Sequence, residues 1–112
     1  MRTEIKNIIE RYPLALATLS GNKPHIIAVG DVRVIGNSLL IGDNYMKETI
    51  KNIQKNKNVS LLVLSLKGSY ELSGRVEYFK SGKWLDAVRE IHKGYLVKGA
   101  LLVKVNKIKK LK

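Results

Sequence analysis

The chain has 112 residues, a formal net charge of +12 and no cysteine. This length predicts one domain, residues 1–112, and the apolar content of 45% is enough for a hydrophobic core, which argues against disorder. The lack of cysteine excludes disulfide scaffolds, thiol nucleophiles and cysteine-bound metals, and no apolar run is long enough to cross a membrane, so we expect a cytoplasmic protein.

The chain begins with a short helix followed by three predicted strands. Residues 3–12 place isoleucines at helical spacing, with Thr3 as the expected N-cap. Residues 14–20 and 25–35 are apolar runs joined by a Gly-Asn turn signal, which predicts a hairpin. Residues 39–42 form a third short strand.

The middle of the chain is predicted to form one helix and two strands. Residues 44–56 have an amphipathic helical pattern, and the Asp-Asn pair at its start is the expected N-cap. Residues 58–66 are too apolar and too rich in β-formers for a surface helix, so we predict a buried strand. Residues 70–79 alternate as a strand does, and Gly74 on the apolar face indicates a bulge or a close backbone contact.

A third helix and a last strand complete the order of elements. Residues 84–91 have helical spacing and end before Gly94, and residues 100–105 form the last clear strand. Six closely spaced strands with helices between them predict a mainly β fold with short helices, arranged as a small antiparallel barrel. A doubly wound α/β fold is disfavoured because strands and helices do not alternate one to one.

The positive charge is concentrated near the C-terminus. The last 22 residues contain seven lysines and no acidic residue. Such a charge favours nucleic acid, anionic lipid or a phosphorylated small molecule, and it is equally typical of a solvated lysine-rich surface. These lysines are not interleaved with arginine, and Tyr95 is the sole aromatic residue after Trp84, so nucleic acid binding is the less favoured function.

The segment from Gly42 to Thr49 joins a strand end to a helix start. Helix N-termini attract anions through free N–H groups, and Lys47 and Thr49 offer a charge and a hydroxyl there, although any capped helix with these two residue types has the same pattern. His25 and His92 are far apart in the sequence, with no third ligand nearby, so no metal site is predicted.

The sequence resembles the FMN-binding split barrels related to pyridoxamine 5'-phosphate oxidase, and most of all their small archaeal members. The residues that carry the resemblance are PHIIAVGDVRV, LLIGDNYMKETIKNI, the Ser73-Gly74-Arg75 strand segment and the closing ALLVKV, within residues 5–108. The resemblance implies a six-stranded antiparallel split β-barrel, an FMN cofactor, and a homodimer with the flavin at the interface. It further implies a flavin-dependent oxidoreductase or a small electron carrier.

The resemblance also implies a set of cofactor-binding residues. Those expected along the flavin ring and ribityl chain are Ala28, Val29, Gly30, Asp31 and Val32. Those expected at the phosphate are Lys47 and Thr49, and those between the two groups are Gly42, Asp43, Asn44 and Met46. The chain departs from the family at Glu48, where a basic residue is usual, so this carboxylate must turn to solvent, pair with Lys51 or lower the affinity.

Several alternatives remain open at this point. Related split barrels bind haem or a deazaflavin, although His25 and His92 are the only imidazoles available for haem. A basic nucleic-acid-binding module is the alternative outside this family. The residues do not identify an electron donor, an acceptor or a catalytic acid or base.

Overall fold

The computed structural model describes residues 1–112 as three helices and seven strands. The helices are α1 (Thr3–Arg11), α2 (Lys47–Lys55) and α3 (Lys83–Ile91). The strands are β1 (Leu14–Ser20), β2 (Lys23–Val29), β3 (Arg33–Ile35), β4 (Ser38–Asp43), β5 (Asn58–Val63), β6 (Tyr70–Phe79) and β7 (Gly99–Lys110). The prediction of a mainly β fold with short helices is confirmed. None of the three helices has the length and apolar character needed to cross a bilayer.

All strands belong to one sheet in the order β2-β1-β5-β6-β7-β4-β3, and every neighbouring pair is antiparallel. The two edge strands, β2 and β3, follow each other in the chain but are not hydrogen-bonded to each other. The sheet is therefore not closed. The antiparallel pairing matches the sequence prediction, whereas the number of strands does not.

The predicted six strands are seven because the run 25–35 breaks in two. Asp31 has a φ of 51°, in the left-handed region that side chains rarely adopt, and the chain turns there. β2 ends at Val29 and pairs with β1, whereas β3 begins at Arg33 and pairs with β4. Residues 26–29 are all apolar and Val32, Val34 and Ile35 follow closely, so the segment has the pattern of one strand, although the buried positions change from odd to even numbers across the turn.

The larger part of the core lies on one face of the sheet. It is formed by α1, by the inward side chains of most strands and by Ile53 of α2. A smaller cluster lies where α3 packs on β4 and β7, and it consists of Leu40, Leu85, Val88, Val97 and Ala100. Because Leu39 and Ile41 point into the larger cluster and Leu40 into the smaller one, β4 is buried on both faces.

Gly74 lies at a bulge, as predicted. The pairing of β6 with β7 shifts register between Ser73 and Gly74, and Asn106 of β7 has no partner there. A Cβ atom on Gly74 would lie 2.3 Å from the carbonyl oxygen of Lys104, so only glycine allows this close contact of the strands. β7 continues to Lys110, beyond the predicted end at residue 105.

Two predicted helix starts are wrong by one to three residues. Thr3 is the first residue of α1 rather than its N-cap, and no side chain caps that helix. α2 starts at Lys47, with Met46 in the N-cap position, rather than at residue 44. The Asp43 carboxylate accepts a hydrogen bond from the Met46 N–H at 3.1 Å, which holds the turn that precedes the helix.

Candidate functional site

Two adjoining clefts lie where β4 meets α2. The strand cleft has a volume of about 330 Å³ and the lysine cleft about 530 Å³, and Tyr45 and Met46 line both. The other residues of the strand cleft are Ile27, Ala28, Val29, Gly30, Asp31, Gly42, Asn44, His92 and Tyr95. The other residues of the lysine cleft are Asp43, Lys47, Ile50, Tyr78, Lys80 and Lys98.

The strand cleft is built on the end of an edge strand. β2 pairs with β1 on one side only, so backbone N–H and C=O groups on its other side have no partner in the sheet. Gly30 follows this strand, and a Cβ atom there would meet nothing within 4 Å. The cleft therefore offers backbone donors and acceptors with open space beside them, which suits a flat polar ring edge.

The floor of the strand cleft depends on the close contact of α3 with Gly42. A Cβ atom on Gly42 would lie 2.8 Å from Cγ1 of Val88 and 3.2 Å from Nε2 of His92. A larger residue would therefore push α3 away from β4. The absence of a side chain lets His92, at the C-terminal end of α3, present its imidazole to the cleft.

The lysine cleft collects cations from three distant parts of the chain. Lys47 opens α2, Lys80 follows β6 and Lys98 precedes β7. The two ion pairs of the structure, Arg2–Glu4 and Glu90–Lys93, involve none of these lysines. Lys98 instead places its Nζ 5.0 Å from the ring centroid of the exposed Tyr45.

The single carboxylate of the lysine cleft is held by hydrogen bonds. Asp43 is 4% exposed, and its Oδ2 accepts a hydrogen bond from the Tyr78 hydroxyl at 2.5 Å. Burial, and then the hydrogen bond to Asp43 and its charge, raise the pKa of Tyr78 well above its usual range, so this hydroxyl stays a donor. The Lys98 N–H also donates to the Asp43 carbonyl at 2.8 Å, which ties the start of β7 to the end of β4.

The start of α2 leaves donors free beside the lysine cleft. The first backbone bond of this helix runs from the Ile50 N–H to the Met46 carbonyl at 2.9 Å, so the N–H groups of Lys47, Glu48 and Thr49 have no protein acceptor. The Thr49 hydroxyl is fully buried and has no hydrogen-bond partner. Free amides, the helix dipole and three lysines together make this end of the site suitable for an anion.

The structure brings most of the residues implied by the resemblance together. Those at the strand cleft are Ala28, Val29, Gly30, Asp31, Gly42, Asn44 and Met46, and those at the lysine cleft are Asp43, Met46 and Lys47. Val32 and Thr49 are buried and line neither cleft. Glu48 is exposed and has no ion pair with Lys51.

Sequence reasoning missed residues that reach the clefts from the second half of the chain. These are Tyr78, Lys80, His92, Tyr95 and Lys98. Each lies near the end of a helix or strand, where its local pattern is that of an ordinary surface or core residue. Only the pairing of β4 with β7, which joins Asp43 to Gly99, brings Lys98 to α2, and no signal in the local sequence gives that pairing.

Comparison with known proteins gives relatives over nearly the whole chain. The uncharacterised protein MJ0282 of Methanocaldococcus jannaschii is 31% identical over 118 aligned positions, which cover 97% of this chain and 79% of the relative. The crystal structure of HupZ from Group A Streptococcus has a TM-score of 0.87 at 18% identity and covers 99% of this chain and 94% of that one.

The name of a second similar structure describes it as FMN-binding. The FMN-binding protein of Syntrophomonas wolfei has a TM-score of 0.84 at 16% identity, with 96% of this chain and 83% of that chain covered. At such identities the two structures establish a shared fold. The model of the pyridoxamine 5'-phosphate oxidase family matches residues 1–109. Because this match spans the sheet and both clefts, the chain belongs to the pyridoxamine 5'-phosphate oxidase family.

Proposed function

We propose that the protein is an FMN-binding flavoprotein, with the phosphate in the lysine cleft and the ring system in the strand cleft. The observation that carries the proposal is the position of Lys47, Lys80 and Lys98, three lysines without a carboxylate partner around one cleft that adjoins a free strand edge. FMN has an anionic end and a flat polar ring, and the two clefts offer the matching chemistry side by side.

The residues of the lysine cleft fit the phosphate group. Lysine side chains and the free N–H groups at the start of α2 are donors that a phosphate accepts readily. The buried Thr49 hydroxyl lacks a partner, and a phosphate bound at the N-terminus of α2 would offer it an acceptor in the first turn of the same helix. Tyr78 holds the Asp43 carboxylate by a hydrogen bond, which limits its repulsion of the phosphate.

The residues of the strand cleft fit the ring system. The free backbone edge of β2 near Ala28 pairs with the polar edge of a flavin, while Ile27 and Met46 give the apolar contact that a ring needs. When bound, FMN supplies the chemistry of electron or hydride transfer, as in an oxidoreductase or a small electron carrier. This chain then contributes binding, orientation and control of access to the ring.

We further propose that the protein is a homodimer with the flavin site at the interface. The face of β1, β2 and β5 that points away from the core is mainly apolar and is covered by no helix; its apolar residues include Ala15, Ala17, Ile26, Ala28 and Leu62, with Ser60 beside Ala17. Ile26 is 66% exposed, and Ala28 also lines the strand cleft. A second copy seated on this face would lie directly beside the proposed ring site.

Titration of FMN against the purified chain tests the proposed cofactor. We expect saturable quenching of FMN fluorescence at micromolar protein, and Lys98→Gln should weaken binding about tenfold if a charge-assisted hydrogen bond is lost. Lys83→Gln is the matched control, because Lys83 lies over the Trp84 ring and outside both clefts. Absence of binding at micromolar concentrations, or equal losses in the two variants, contradicts the proposed site.

Light scattering coupled to size exclusion tests the proposed dimer. The wild-type chain should have the mass of two copies, and Ile26→Glu should shift it to the mass of one. Leu66→Glu, in the turn after β5, should leave the dimer intact because Leu66 is exposed and belongs to none of the three strands that form this face. A monomeric wild-type protein that still binds FMN refutes the interface and leaves the cofactor assignment standing.

A further inference from the structure

Two cations lie directly opposite each other on the face of the sheet that points away from the larger core cluster. Arg75 of β6 and Lys104 of β7 are cross-strand partners, and both are exposed. The neighbouring residues of β6 that face the core, Gly74 and Val76, are buried, so Arg75 points away from the core. Like charges in directly opposite positions destabilise a strand pair, so this arrangement costs free energy unless something lies between the charges.

The same two strands show the ordinary arrangement four residues away. Glu71 of β6 pairs with Lys109 of β7, which places opposite charges across from each other on the same face. The like-charge pair is therefore a local feature and not a property of the whole face. It is also not a device that protects a sheet edge, because β6 lies between β5 and β7, and at Lys104 β7 also pairs with Ser38 of β4.

A third cation completes the group, which we call the basic depression. Its residues are Ser38, Lys57, Arg75, Val76, Glu77, Tyr78, Leu102 and Lys104, around a volume of about 400 Å³. Lys57 is held beside β6 because its carbonyl accepts the Val76 N–H at 2.9 Å. Glu77 is the one carboxylate present, and it forms no ion pair with any of the three cations.

The guanidinium of Arg75 is oriented but not saturated. Its Nη1 donates to Oδ1 of Asn58 at 3.3 Å, and its remaining donors have no protein acceptor. A planar guanidinium with free donors, beside two ammonium groups, matches the geometry of a phosphoryl group. A compact dianion between Arg75 and Lys104 would convert their repulsion into attraction to a shared ligand.

We propose that the basic depression binds the phosphoryl group of a small phosphate ester or of pyrophosphate, as a second anion site of the protein. The inference does not rest on FMN binding, since the depression shares only Tyr78 with the lysine cleft and none of the three lysines there. Three cations around one depression suit a compact ligand, whereas an extended polyanion requires a longer row of charges.

Calorimetric titration of pyrophosphate into the full chain tests the proposal, at constant ionic strength in chloride buffer and both with and without saturating FMN. The wild-type protein should bind pyrophosphate in either condition, and Lys104→Gln should weaken binding about tenfold. Lys109→Gln is the matched control, since this lysine is on the same strand and face but is paired with Glu71. Its affinity for pyrophosphate should equal that of the wild type.

Other results overturn the proposal. Loss of pyrophosphate binding in Lys98→Gln would place the anion in the lysine cleft, and equal losses in Lys104→Gln and Lys109→Gln would indicate attraction by net charge alone. Binding of a single-stranded 12-mer oligonucleotide without binding of pyrophosphate would indicate a nucleic acid surface.

Thermal unfolding at low salt without multivalent anions gives an independent readout. Lys104→Gln should raise the midpoint by roughly 1–4 °C, because it removes the repulsion from Arg75. Lys109→Gln should not raise it. An unchanged midpoint in Lys104→Gln shows that the two charges do not repel each other and contradicts the argument.

Discussion

Replacement of Tyr78 by phenylalanine should destabilise the protein through Asp43. The Tyr78 hydroxyl donates to Oδ2 of Asp43 at 2.5 Å, and this carboxylate is 4% exposed. Tyr78→Phe keeps the ring and removes the donor. Oδ1 keeps the bond from the Met46 N–H, but a charge this buried has little water available to replace the lost partner.

The expected loss follows from the type of bond. A hydrogen bond to a charged group contributes about 1.5–3 kcal/mol, so we expect a loss of about 2 kcal/mol in the free energy of unfolding. For a chain of this length each kcal/mol corresponds to roughly 4 °C in the midpoint, which predicts a decrease of about 8 °C. Asp43 also holds the turn before α2, so the FMN affinity should decrease in parallel.

Urea unfolding at pH 7 measures this loss, and Tyr70→Phe is the matched control. Tyr70 is on the same strand and in the same inward-facing row, but its hydroxyl has no protein partner. Its replacement should change the free energy of unfolding much less than Tyr78→Phe does. Equal losses in the two variants would refute the assignment of the stabilisation to the hydrogen bond with Asp43.

The free energy of unfolding should fall at high pH, because the pKa of Tyr78 is raised in the folded state. Burial and Asp43 raise the pKa of Tyr78 in the folded state, whereas the unfolded chain loses this proton near the ordinary pKa of about 10. Above that pH the folded state binds more protons than the unfolded state, so its stability falls as the pH rises. The difference between wild type and Tyr78→Phe should be constant below pH 10 and should narrow above it. A difference that stays constant up to pH 12 would show that the Tyr78 pKa is not raised.

Three further substitutions have expected outcomes. Thr49→Val should stabilise the cofactor-free chain by about 1 kcal/mol in calorimetry, because it removes a buried hydroxyl without a partner. The same substitution should weaken FMN binding about tenfold in a fluorescence titration. Glu48→Lys should raise the affinity for FMN roughly threefold at low salt, and 0.5 M salt should remove this gain. Glu71→Lys should leave the FMN affinity unchanged. Gly74→Ala should cost about 2 kcal/mol in urea unfolding, because its Cβ would overlap the Lys104 carbonyl. An Ala variant as stable as the wild type would show that β7 moves freely there.

The sequence predicts features whose cause is local and misses those whose cause is distant. The amphipathic pattern of α2 and the glycine bulge at Gly74 arise from side-chain spacing and backbone space, and both are present in the structure. The turn at Asp31 is missed because apolar residues lie close on both sides of it and have the pattern of one continuous strand. Lys98 joins the site through the pairing of β4 with β7, and Lys80 through the pairing of β6 with β7 in addition, and both pairings are properties of the tertiary fold.

What the net charge of +12 implies for anion binding depends on where each cation lies in the fold. The lysine-rich C-terminus suggests a polyanion partner by its density alone, yet Lys109 is paired across strands with Glu71. Six cations, none of them in an ion pair, line the lysine cleft and the basic depression, and four of the six precede the last 22 residues. The density of lysines along the sequence is therefore a poor guide to an anion site, because the electrostatic attraction of an anion depends on how many cations converge within a few ångströms of it.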